Sequence, residues 1–107
     1  MSREFLSSLR EQMVLPVIAA PMFLVSGPDL VLASCKSGII GSFPVANART
    51  TEVLDEWLHR ITSELAELKR AEPARKIAPW AANIVVHRSY SRLEADLELI
   101  VKYKAPL

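Results

Sequence analysis

The stretch that most limits what this chain can become is Met13 to Val25, Met-Val-Leu-Pro-Val-Ile-Ala-Ala-Pro-Met-Phe-Leu-Val. It is the most apolar run in the sequence, and a helix start, Ser26-Gly27-Pro28-Asp29, follows it directly. Broken by Pro16 and Pro21, it is too short for a membrane helix, which needs about 20 consecutive apolar residues. An apolar run without alternation fits a strand covered on both faces, the kind found inside a parallel sheet. A secretory signal fits poorly. Glu4 and Glu11 lie beside Arg3 and Arg10 in the would-be basic region, and the two prolines interrupt the apolar core. No segment reads as a membrane span.

The remainder repeats a strand followed by a helix. Residues 2–12 predict a short lead-in helix with Phe5, Leu6 and Leu9 on one side, and the first strand runs from Val14 to Ala20. Ser26 is placed to cap the next helix, with Pro28 in its first turn and Asp29 matching the dipole. That helix runs to about Ser37, and Gly38 ends it as a left-handed cap. The second strand is Ile39 to Phe43, stopped by Pro44. Thr50 or Thr51 then caps a long helix whose stripe is Leu54, Trp57, Leu58, Ile61, Leu65 and Leu68, at steps of three and four. Glu56 and Arg60 are spaced as an i,i+4 pair, and the helix frays near Ala71. The third strand is Trp80 to Val86. A last helix opens on a capping box, Ser91-Arg92-Leu93-Glu94, with an inner stripe of Leu93, Leu97, Ile100 and Val101 and a pair from Glu98 to Lys102. Ala105-Pro106-Leu107 reads as the start of a fourth strand.

This β-α-β-α-β-α order predicts an α/β fold with a parallel sheet and right-handed crossovers. A doubly wound sheet and a barrel compete. Ala20-Pro21-Met22-Phe23 replaces the glycine-rich turn of a dinucleotide fold, and prolines close the first two strands at one end. Both features favour the first three βα units of a (β/α)8 TIM barrel, incomplete in this chain. Such a portion, residues 1–107, leaves its inner face and two edges uncovered, with Ile18, Ile40, Ile84 and Val86 as the residues stranded there. The expectation is the opening part of a longer barrel.

Composition narrows the function classes. Half the residues are apolar and 23% are charged, a globular balance. Thirteen basic against 12 acidic side chains leave a net charge of +1, scattered along the helices. That is no basic stripe, so nucleic acid is not an expected partner. Cys35 is the only cysteine, which suits a reducing, cytoplasmic setting. Two distant histidines and one cysteine give no metal site.

Three blocks carry a resemblance: Leu15-Pro-Val-Ile-Ala-Ala-Pro-Met-Phe-Leu-Val-Ser-Gly-Pro28; Ser37-Gly-Ile-Ile-Gly-Ser-Phe-Pro44 with Asn47-Ala-Arg-Thr50; and Pro79-Trp-Ala-Ala-Asn-Ile-Val-Val-His-Arg-Ser89. In this order and spacing, covering nearly the whole chain, they resemble the N-terminal part of the nitronate monooxygenases, formerly called 2-nitropropane dioxygenases. The Ala-Pro-Met step alone is shared by related flavin barrels. The resemblance implies a TIM barrel binding FMN without a covalent link and oxidising alkyl nitronates with molecular oxygen to a carbonyl compound and nitrite. It places the backbone of Ala20, Pro21 and Met22 against the flavin and gives Asn83 a hydrogen bond to it; Phe23 and His87, at the same end of the strands, are the substrate-side candidates. The family's catalytic histidine and glycine-rich phosphate loops belong to strands beyond Leu107. The remainder of the barrel is therefore an expected partner, or self-association through the exposed apolar face. An alternative is another flavin barrel, such as a flavin-dependent enoyl-acyl-carrier-protein reductase, and another is a non-catalytic truncated product.

The residues leave further readings open. Met22 either meets the flavin or plugs the barrel mouth. Asn83, an amide within an apolar strand, must find a partner on a neighbouring strand or on a cofactor. His87 is a base or substrate ligand, or a loop histidine bonded to backbone. Asn47 and Arg49 touch a ligand or simply build their loop. Cys35 reads as a buried, inert thiol, Trp57 and Trp80 as packing residues, and His59 as a solvated surface residue.

Overall fold

A computed structural model describes residues 2–107. The chain is α/β: a three-stranded parallel sheet with four helices among the described residues. In chain order these are α1 (Arg3–Glu11), β1 (Ile18–Ala19), α2 (Pro28–Lys36), β2 (Ile40–Pro44), α3 (Thr51–Ala71), β3 (Trp80–Asn83) and α4 (Leu93–Lys102), with a 3-10 turn at Val45–Asn47. The strands lie in the order β1-β2-β3, so each crossover joins neighbours. No helix is long and apolar enough to cross a membrane, among the described residues.

Register assigns each strand residue to a face. Ile18 is level with Ile40, Gly41 with Trp80, Phe43 with Ala82 and Pro44 with Asn83. Phe43 and Trp80 point into the core between sheet and helices, where Val31 and Cys35 of α2 and Leu54, Leu58, Ile61 and Leu65 of α3 are buried. The periodic stripe of α3 is thus its packed face, and α2, α3 and α4 lie side by side. Gly41 is the point of closest approach. A Cβ there would sit 2.8 Å from the Val31 Cα and closer still to its carbonyl, neither of which can yield. Gly41→Ala is expected to cost about 1–3 kcal/mol or more, read as a lower urea midpoint at unchanged m-value.

The helix ends show where local rules won and lost. Gly38, at φ +87°, closes α2 with the Ile39 N–H on the Ser34 carbonyl and its own N–H on Cys35, a Schellman pair. The same pair closes α4 around Lys104 at φ +53°, where no glycine announces it. Thr50 caps α3 by accepting the Val53 N–H. Ser26 does not cap α2. Gly27 occupies that position, and the Ser26 hydroxyl turns back to the loop before it. The capping box at Ser91 does not form either, because α4 starts after Arg92 without a side-chain cap.

Other expectations also need correction. Regular β1 covers only two residues, although Val14 still donates to the Gly38 carbonyl and Ile40 to that of Val17. Pro16 and Pro21 supply no N–H, which keeps the ladder short. β3 ends at Asn83 rather than Val86. Arg60 pairs with Asp29 at 2.6 Å and Glu64 at 2.9 Å, not with Glu56. Lys102 lies 3.8 Å from Asp55, not against Glu98. On α4, Leu97 and Val101 face outward, while Leu99, Ile100 and Tyr103 pack inward beside a fully buried Asp96. Of the four residues expected to be stranded, Ile18 and Val86 are exposed. Ile40 is buried with Met13 and Ala78 beneath Leu9 and Leu107, and Ile84 packs on the main core.

Candidate functional site

Parallel strands align all their C-terminal ends, so the segments after β1, β2 and β3 gather at one end of the sheet. After β1, Ala20 to Val25 leave the sheet exposed, with Met22 43% and Phe23 69% accessible. Their side chains are exposed, but their backbone is held. Asn47, last residue of the 3-10 turn after β2, donates through Nδ2 to the carbonyls of Met22 (3.0 Å) and Ser26 (2.8 Å). Its Oδ1 accepts the Leu24 N–H at 3.0 Å. The Ser26 hydroxyl accepts the Met22 N–H at 2.8 Å and donates to the Ala20 carbonyl at 3.3 Å. Leu24, at φ +64°, adopts a left-handed conformation that costs a non-glycine residue about 1–2 kcal/mol. Hydrogen bonds worth about 0.5–1.5 kcal/mol each are enough to hold it there.

The segment after β2 is tied in turn to the one after β3. Arg92 donates to the Ala48 carbonyl at 2.8 Å and to the Tyr90 hydroxyl at 2.8 Å. Asp96, fully buried, lies 3.1 Å from Arg92 and accepts from Thr51 at 3.0 Å and from the Tyr90 hydroxyl. Burial first, and then the bond to Asp96, push the Tyr90 phenol above its ordinary value. The Nε of Arg92 is buried without a partner.

Asn83 ends β3 level with Pro44, on the face of the sheet away from Phe43 and Trp80. It is exposed, so the requirement that a buried amide find a partner does not apply to it. His87 is exposed too. Its Nδ1 accepts the Ser89 N–H at 3.1 Å and lies 2.7 Å from the Ser89 hydroxyl. That is the bonding of a loop histidine, with the turn closed by the Tyr90 N–H on the His87 carbonyl at 2.9 Å. The structure therefore brings Ala20, Pro21, Met22, Phe23, Asn83 and His87 to one end of the sheet, and bonds none of these side chains to another.

No family model, curated protein or solved structure matches this chain.

Other chemistry-bearing residues lie elsewhere. Cys35 is buried in the core, where its thiol donates to the Pro79 carbonyl at 3.5 Å and burial pushes its pKa up. A thiol held protonated is a poor nucleophile. His59 is exposed on α3. Among the described residues, no three His, Cys, Asp or Glu side chains come together to hold a metal. A cavity of about 290 Å³ lies at the opposite end of the sheet, lined by α1, α3 and the chain's last residues. The site residue that sequence reasoning underrated is Asn47. Its position in an Asn-Ala-Arg-Thr loop between strand and helix was the available signal.

Proposed function

We propose that residues 1–107 form the first three βα units of a TIM barrel whose mouth takes FMN, and that the complete site oxidises alkyl nitronates with molecular oxygen. The observation that carries the barrel is the path of the tail. A 3-2-1-4 doubly wound sheet sends its fourth strand beside β1, whereas a barrel adds it beside β3. Here the Schellman turn at Lys104 returns the chain to β3, where Leu107 accepts the Ala82 N–H at 3.1 Å on the edge away from β2.

The chemistry rests on the resemblance of the three blocks, and the mouth is compatible with it. A flavin ring is flat and apolar with polar atoms along one edge. Met22 and Phe23 offer exposed apolar surface, and Asn83 offers a side-chain amide on a strand two spacings away, about 10 Å. Bound flavin would supply the redox step. The chain's own residues would shape one wall, with Ala20, Pro21, Met22 and Asn83 facing the cofactor and Phe23 and His87 towards the nitronate. The apolar residues left open in and just before β1, among them Val14, Leu15, Val17 and Ile18, are where further staves or a second copy would pack.

Titration of FMN into the 15N-labelled chain tests this reading. Amide shifts are expected at Ala20, Met22, Phe23 and Asn83 and not along α4. An absence of shifts up to millimolar flavin, or shifts centred on the cavity beside α1, would refute it.

A further inference from the structure

We infer that Asn47 is a positioning residue: it presets the backbone of residues 22–26 at the mouth of the sheet and is not itself a ligand there. Its relevance to a flavin rests on the function proposed above; its geometry does not.

Valence leaves Asn47 no donor for a ligand. A side-chain amide has one acceptor oxygen and two N–H donors. In Asn47 the oxygen takes the Leu24 N–H, and the nitrogen serves the carbonyls of Met22 and Ser26. Both donors are in use. Ser26 meanwhile occupies the Met22 N–H and the Ala20 carbonyl. The polar backbone groups of Met22 thus all turn inward to the protein. What the loop presents outward is the apolar surface of Met22 and Phe23.

Leu24 shows that this shape is imposed. It is 71% exposed, so packing does not hold it, yet it keeps a left-handed backbone that leucine disfavours. Its N–H is held by Asn47, and the turn around it is closed by the Val25 and Ser26 N–H groups on the Met22 carbonyl. The next residue, Ala48, receives Arg92 from the segment after β3. Asn47 therefore stands in the middle of a chain of bonds that fastens the three mouth segments in strand order. An aspartate could keep the Leu24 bond and would lose both donated ones.

The test uses the full chain with amide exchange and FMN-induced shifts, in Asn47→Ala, Asn47→Asp and the double variant Asn47→Ala with Leu24→Gly. Loss of one such hydrogen bond corresponds to up to about tenfold faster exchange at Leu24. We expect that acceleration in Asn47→Ala and little of it in Asn47→Asp, with the amides of Ile61 and Leu65 unchanged in both. The FMN shifts at Met22 and Phe23 should disappear in Asn47→Ala and return in the double variant, where glycine removes the left-handed penalty. A merely structural role would not give that rescue. Unchanged Leu24 exchange in Asn47→Ala overturns the inference, as do FMN shifts that survive it intact. If the native chain shows no FMN shifts, the flavin reading falls and the Leu24 exchange alone decides the role of Asn47.

Discussion

Phe43→Ala is expected to destabilise the chain by about 3–5 kcal/mol, the usual cost of emptying a buried aromatic site. Phe43 is fully buried on β2, the middle strand, edge-on to Trp57 with ring centroids 5.9 Å apart and stacked on Trp80 at 6.5 Å. It touches both α3, through Trp57, and the neighbouring strand, through Trp80, so neither wall can collapse into the void without moving the other. A domain this size has about 5–15 kcal/mol of stability in all. The variant should therefore unfold at far lower urea than the native chain, followed by circular dichroism and tryptophan fluorescence. A loss below 1 kcal/mol would mean that the core is not arranged around this ring.

Asp96→Ala is expected to cost a comparable amount, about 3–5 kcal/mol, because it leaves a part-buried guanidinium without its counter-charge. It also removes the acceptor for Thr51 and Tyr90, and so unties the start of α3 from the segment before α4. Asp96→Asn should be milder, since it keeps the size and one acceptor. The Tyr90 phenol gives an independent reading. Its folded pKa is raised, so the stability linked to its proton is fully present below its unfolded value of about 10 and lost as pH rises through the folded one. In Asp96→Asn the phenolate absorbance should appear at lower pH than in the native chain.

The same residues show what the sequence could and could not disclose. The α3 stripe was legible because Leu54, Leu58, Ile61 and Leu65 recur at a helical period and all four are buried. Gly38 was legible because only a left-handed turn needs a glycine after a helix. The stripe of α4 was misread because apolar residues on it face two ways. Leu97 and Val101 are outward, while the inward face is built on a carboxylate, and hydropathy cannot flag a buried Asp96 whose partners come from the start of α3 and from the stretch before α4. Ser26 looked like a cap by type and position, but the loop before it offered the Met22 N–H. The location of Ala20 to Met22 at a strand's end followed from the pattern. That Asn47 holds this backbone did not, since a contact across more than 20 residues leaves no local signature.

The returning tail has a consequence for how these molecules behave in concentrated solution. Leu107 sits on one margin of the sheet and occupies a donor there, whereas β1 leaves its outer margin unpaired among the described residues and flanked by exposed Val14, Leu15 and Val17. Chains approaching one another do not meet two equivalent margins. Where the β1 margin is not covered by further strands, intermolecular pairing would be directed to that side. The first species to accumulate on concentration should be a pair joined edge to edge at β1, with growth beyond two slowed by the guarded margin of β3.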